Sequence, residues 1–133
     1  MSTPKGNVGE IAVMKDLVSR GYKISLPWSE DCPYDVILDR DGKLEKVQVK
    51  YSVSKGVVIK VRARHKLGNT STGVRKAYTS DMIDWLAVYD ASTDQCFYIS
   101  KESLGQTSFE LRLKPTKTKQ IKHIRWAKDY KNI

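Results

Sequence analysis

Glu10, Asp35, Gln48 and Lys50 are the side chains whose types could do chemistry together: two carboxylates, an amide and an ammonium group. Two carboxylates and an amide oxygen are ligands for a hard cation. An ammonium group beside them orients a nucleophile or stabilises developing negative charge. These residues are distant in sequence, so the fold must bring them together. Asp41-Gly42 between two β-rich runs signals a two-residue hairpin turn. With Arg40 opposite Lys43, Asp39 faces Leu44, Ile37 faces Lys46 and Asp35 faces Gln48. Facing residues hold their Cβ atoms roughly 4.5–5.5 Å apart. Lys50, two residues on, projects from the same face as Gln48. The opposite face carries Tyr34, Val36, Val47 and Val49 and is expected to be core.

The surrounding elements follow from periodicity and punctuation. Residues 8–20 read as a helix, with Val8, Ile11, Ala12, Leu17 and Val18 at largely helical spacing and Gly21 as the stop. Glu10 is expected in its first turn, after Gly9, a residue that admits a neighbouring backbone. It would reach the Asp35 site from the rim of the sheet. Residues 22–26 read as a short strand and 28–33 as a loop. Residues 34–39 and 44–52 form the hairpin. Residues 57–64 alternate, with Val57, Ile59, Val61 and Ala63 on one face and Val58, Lys60, Arg62 and Arg64 on the other. Residues 65–75 read as a basic loop, and Ser80 and Asp81 as the cap of a helical turn. Residues 85–89, 96–99 and 109–113 complete the strands, and 120–130 read as a C-terminal helix. The fold class is α/β (α+β), a central mixed β-sheet flanked by helices, in one domain over 1–133 with a basic segment at 114–133.

The 133 residues carry a net charge of +9, unevenly placed. Residues 1–45 hold 6 basic and 8 acidic side chains, whereas 46–133 hold 18 and 7. A basic back joined to an acidic front implies a polyanionic partner together with a need for carboxylates. Lys55, Lys60, Arg62, Arg64, Lys66, Arg75 and Lys76 are the expected phosphate contacts. The tail cations Lys114, Lys117, Lys119, Lys122, Arg125, Lys128 and Lys131 are either a second nucleic-acid element or the outer face of the closing helix, with Ile121, Ile124 and Ala127 inward. Trp85 and Trp126 read as core or rim aromatics, while Trp28 borders the site. No apolar run approaches a membrane span, and the first residues lack the apolar core of a secretion signal. Cys32 and Cys96 are too few for a disulfide framework, and with His65 and His123 they lack zinc-site spacing. A reducing cytoplasm is expected.

Gly9-Glu10 with Ala12 on a first helix, Pro33-Tyr34-Asp35, and Gln48-Val49-Lys50 on a hairpin resemble the motifs of the PD-(D/E)XK nuclease superfamily. The pattern from Tyr78, Asp81 and Asp84 through Tyr89, with Cys96-Phe97-Tyr98-Ile99, is most similar to the group I intron-associated homing endonucleases. Archaeal Holliday-junction resolvases are next nearest. Two departures stand out: Tyr34 splits the Pro-Asp pair, and Gln48 replaces the commoner acid. The resemblance implies a restriction-endonuclease-like core. It also implies a site in which Asp35, the Gln48 side chain, the Val49 carbonyl and Glu10 hold Mg²⁺, with Mn²⁺ able to substitute, and in which Lys50 acts on the attacking water or the phosphate. The expected activity is hydrolysis of double-stranded DNA by a homodimer or homotetramer, since a long duplex target exceeds the span of one small chain. The alternatives are junction resolution and a catalytically silent nucleic-acid-binding module.

Overall fold

The computed structural model describes residues 3–62, 64–66, 75–77, 81–104, 108–115 and 124–133, with 64–66, 75–77 and 108 as backbone. The first element is α1 (Pro4–Ser19). It starts four residues before the expected helix because Thr3 caps it, accepting the Gly6 N–H at 3.0 Å, and Pro4 follows. Gly21, at φ +90°, ends it. Glu10 therefore lies in the second turn, a correction to its expected place in the first. Gly9, Val13 and Leu17 form the buried stripe.

Five strands form the main sheet: β1 (Lys23–Ser25), β2 (Val36–Arg40), β3 (Lys43–Ser52), then β7 (Trp85–Asp90) and β8 (Gln95–Ser100). Their spatial order is β1-β2-β3-β7-β8, with β3 and β7 parallel and the other neighbours antiparallel. The β2–β3 register runs from Val36 opposite Val47 to Arg40 opposite Lys43, as the turn residues dictate. Asp41 and Gly42 both have positive φ, +53° and +75°, which is the demand of a type I′ turn.

Two cores sit on the two faces of this sheet. Against α1, Val13 and Leu17 meet Val36, Leu38, Val47, Val49, Ala87 and Tyr98. On the other face, β4 (Val58–Arg62) and β9 (Ser108–Arg112) form a two-stranded sheet that buries Ile59, Val61, Phe109 and Leu111 against Leu86, Val88, Phe97 and Ile99. A third pair, β5 (Arg64–Lys66) and β6 (Arg75–Ala77), makes a short antiparallel hairpin.

Among the described residues α1 is the one α-helix, so the main sheet is flanked by a helix on one side and a sheet on the other. The expected strand over 57–64 divides into β4 and β5, and the expected loop over 65–75 has strand pairing at both ends. Ala63 and Ser80 lie outside the described residues. Residues 124–130 do not form the expected C-terminal helix, and 120–123 lie outside the description. The Arg125 carbonyl accepts the Arg112 N–H at 2.8 Å, Trp126 bridges to β9, and Ala127–Tyr130 is a 3₁₀ turn. Pairing with β9 outweighs the helical spacing of Ile124 and Ala127. This segment passes round the β8 side of the sheet, with Ala127 in one core and Ile133 packed against the other. Among the described residues no helix is long and apolar enough to cross a membrane.

Gly9 is where helix and sheet come nearest. A methyl built there meets the Val49 side chain at 3.5 Å and Tyr51 Cβ at 3.7 Å, ordinary contacts. Gly9→Ala is therefore expected to stabilise the fold by about 0.5–1 kcal/mol through helix propensity. Gly9→Leu is expected to destabilise it by pushing α1 off β3. Thermal melts check both, and a lower melting temperature for Gly9→Ala would show that the fit is tighter than a methyl allows.

Candidate active site

Asp35 lies one residue before β2 and is tied to β3 twice. Its N–H donates to the Val47 carbonyl at 2.8 Å, and its Oδ2 accepts the Val49 N–H at 3.0 Å. The carboxylate thus takes over where the β2–β3 ladder stops. Sequence alternation places Tyr34 with Val36 on the α1 side, but the strand has ended here. Tyr34 packs instead against the core on the opposite face, a correction to the expected pattern.

Glu10 approaches from α1 and shares a hydrogen bond with the Asp35 carboxyl. Burial, the Asp35 charge and that hydrogen bond all push the Glu10 carboxyl above its ordinary range. Burial also pushes Asp35 up, and this outweighs the Val49 N–H, the Lys50 charge and the Glu10 hydrogen bond, which pull it down. Lys50 is half-buried near enough to act on Asp35. Gln48, on the same strand, donates from Nε2 to the Val49 carbonyl at 3.3 Å. Glu10 from α1 and Lys50 from β3 therefore both act on Asp35, and Gln48 and the Val49 carbonyl lie on the same stretch of β3.

The donor set suits a hard cation. Two carboxylates that resist joint ionisation gain from a divalent ion between them. Among the described residues no three His, Cys, Asp or Glu side chains cluster in a metal-holding arrangement. Oxygens of Gln48 and Val49 would have to complete the set. The pair opens into a cleft of about 530 Å³, whose walls include Ile11, Leu26, Trp28 and Glu30.

The raised carboxyl pair has a pH signature. The folded site holds protons at pH values where the unfolded chain has released them. Its contribution to stability is therefore greatest in acid and falls as pH rises from the unfolded to the folded pKa values. Without added metal, Glu10→Gln is expected to weaken this dependence and to raise the melting temperature at pH 7. Melts between pH 4 and pH 7.5 in chelator check it. A lower melting temperature at pH 7 with an unchanged slope would contradict the raised Glu10 carboxyl.

The expected phosphate contacts lie elsewhere. Lys60 and Arg62 are exposed on the outer face of β4, opposite Glu110 and Ser108 of β9. Lys55 is exposed in the turn after β3 at φ +57°, its N–H donating to Ser92 Oγ at 2.9 Å. Arg64, Lys66, Arg75 and Lys76 are placed by backbone register alone: Arg64 opposite Ala77, His65 opposite Lys76 and Lys66 opposite Arg75. In the tail, Arg125 and Lys131 are engaged within the fold. Arg125 stacks over the Phe109 ring at 4.5 Å, and Lys131 Nζ donates to Gln95 at 2.6 Å. Lys114 and Lys128 are exposed, and Lys117, Lys119 and Lys122 lie outside the described residues.

Sequence reasoning overlooked two features of this region. One is the Val49 N–H that fixes Asp35, which any backbone amide at that register would supply. The other is the apolar wall of the cleft, hinted at by Leu26-Pro27-Trp28.

A family model described as PD-(D/E)XK endonuclease matches residues 1–133. Among solved structures, that of a bacterial homing endonuclease, I-Ssp6803I, is similar, with a TM-score of 0.74 and 24% sequence identity over 95% of this chain and 85% of that one. At that identity the likeness shows the fold, a restriction-endonuclease-like α+β arrangement. No curated protein matches the chain.

Proposed function

The chain belongs to the PD-(D/E)XK endonuclease family, and from that premise we propose that it is a Mg²⁺-dependent endonuclease of double-stranded DNA, site-specific in the manner of a homing enzyme. The observation that carries this is the Glu10–Asp35 pair, two hydrogen-bonded acids that line an open cleft, with the Lys50 charge acting on Asp35. Nuclease chemistry is the family's, and divalent ions generally serve it.

In this reading Asp35, the Gln48 amide oxygen, the Val49 carbonyl and Glu10 would hold the ion. When bound, Mg²⁺ supplies Lewis acidity toward the phosphate and lowers the pKa of its water. The Val49 N–H keeps Asp35 aimed. Glu10, its carboxyl raised by burial and by the Asp35 charge, would supply a further oxygen to the ion. Lys50 orients the attacking water or stabilises the charge gathering on the phosphate. The basic positions of β4, β5 and β6 hold the duplex backbone, and the β5–β6 hairpin is of the kind that a major groove admits. Cutting both strands with one site per chain calls for a homodimer or homotetramer. The whole chain acts as one nuclease domain, in a cytoplasm that keeps Cys32 and Cys96 as thiols.

The deciding experiment incubates the protein with DNA libraries in Mg²⁺ or Mn²⁺ and maps the cut ends, with chelator as control. Cuts at one linear sequence support the reading. Cuts confined to four-way junctions favour a resolvase, and no cuts in either metal favour a binding module. Independently of activity, Mg²⁺ at ten times its dissociation constant is expected to stabilise the protein by about 1.4 kcal/mol. That shift is expected to vanish in Asp35→Asn.

A further inference from the structure

Trp28 is 97% exposed, with Leu26 and Ile11 about it at 61% and 62%. It is the most exposed large apolar side chain of the described fold and contributes almost no burial to it. Its indole lines the cleft that holds Glu10 and Asp35, as do Ile11, Met14, Leu26 and Pro27.

This cleft has an electrostatic difficulty. Glu10, Asp35 and Glu30 all line it, so a phosphate entering it meets negative charge. The expected phosphate-holding cations of β4 stand on the outer face of another sheet. Among the described residues no Lys or Arg lines the cleft itself, so apart from the ion and Lys50 beside Asp35, some uncharged contact has to hold the strand along this wall. A second copy of the chain seated on the wall would cover the acid pair and shut out the phosphate. A nucleotide brings both groups that the cleft asks for, a phosphate for the cation that the acids would hold and a flat apolar face for the indole.

We propose that the Ile11–Leu26–Trp28 wall is a nucleobase subsite, in which Trp28 stacks on an unpaired or unstacked base of the strand being cut. This deepens the endonuclease reading and rests on it. Stacking supplies binding without charge, and it makes local opening of the duplex part of recognition.

The test compares two 25-base-pair duplexes of equal phosphate count, one fully paired and one with a central three-base mismatch bubble, with the protein in chelator. Equal charge cancels the electrostatic part of binding. Wild type is expected to favour the bubble by about tenfold, the scale of one stacked base. Trp28→Ala and Trp28→Leu are expected to erase the preference, and Trp28→Tyr to keep most of it. Indole emission is expected to be quenched saturably by the bubble in wild type and unquenched in Trp28→Leu. Equal affinities in wild type, or a preference that survives Trp28→Leu, would overturn the subsite. So would a change of sedimenting mass in Trp28→Ala, which would mark the wall as a subunit contact. If the protein cuts library DNA with Mg²⁺ while Trp28→Leu behaves as wild type, the subsite alone falls. If it neither binds nor cuts DNA, the endonuclease reading falls and the subsite with it. Trp28 is too exposed for these variants to unfold the chain.

Discussion

Asp35→Asn is expected to lower the rate of DNA cleavage about a thousandfold or more, because the lost anchoring of the cation removes several kcal/mol of charge stabilisation. Asparagine is the informative replacement. Its side-chain oxygen still accepts the Val49 N–H, the bond that fixes Asp35 at 3.0 Å. Alanine would leave that amide without its partner, at a cost of about 1–3 kcal/mol where it is buried. Asp35→Asn is therefore expected to fold as well as wild type. At neutral pH without metal it is expected to be the more stable, because the charge that raises the Glu10 carboxyl is gone. Its affinity for DNA in chelator is expected to equal or exceed wild type, since one negative charge has left the cleft. Single-turnover cleavage, equilibrium binding and thermal melts measure the three quantities. Cleavage within tenfold of wild type would remove Asp35 from the site and carry most of the proposed chemistry with it.

The largest expected effect on stability lies at the far end of β7. Asp90 is fully buried. Its Oδ1 accepts the Ser54 N–H at 2.9 Å, and its Oδ2 accepts the hydroxyls of Ser54 and Thr93, each at 2.6 Å. Burial alone would raise this carboxyl, but these bonds, with the Ser92 N–H, hold it below the ordinary range. Asp90→Ala strands these donors in the interior and is expected to cost about 3 kcal/mol or more, which for a chain of this length is about 10 °C in Tm. The acid dependence has the opposite sign to that of the Glu10–Asp35 pair. A depressed carboxyl stabilises the fold above its unfolded pKa, and the contribution is lost as pH falls through the folded value. Asp90→Ala should therefore lose less on acidification than wild type, in melts at pH 3 to 7. A loss under 1 kcal/mol would mean that water replaces the carboxylate at little cost. The same network positions the turn that carries Lys55, so DNA affinity is expected to fall as well, although Asp90 touches no DNA in this reading.

The hairpin was legible because its information is local. Two adjacent residues that tolerate positive φ set the register, and the register places Asp35 against β3. What failed depended on distant pairings. Tyr34 left its expected face because the strand ended at Val36, where a carboxylate replaces the backbone ladder. Ile59 and Val61 read correctly as one apolar face, but nothing near them reveals that their partners are Phe109 and Leu111, some fifty residues on. Residues 124–130 have the apolar spacing of a helix and are drawn instead into contact with β9. Asp90 and Ser54 look like ordinary turn residues, because polar side chains at strand ends usually are. Of the candidate site, the residue types were visible in the sequence. The raised carboxyls of Glu10 and Asp35 were not, since they depend on how far each is withdrawn from water.

The terminal segment that runs round β8 also governs how copies of the chain can meet. An open sheet can recruit further strands along either margin, the usual route to unwanted polymerisation. Here one margin is strapped. Arg20 donates to the Lys131 carbonyl at 2.7 Å, Lys131 reaches Gln95 on β8, and Ala127 and Ile133 anchor the strap in opposite layers. The other margin, β1, is three residues long and opens with an exposed lysine. Neither side offers a long, flat template. If two chains meet on DNA as proposed, faces and loops would join them, and the spacing between two cuts would follow from the geometry of those surfaces and not from a continuous sheet.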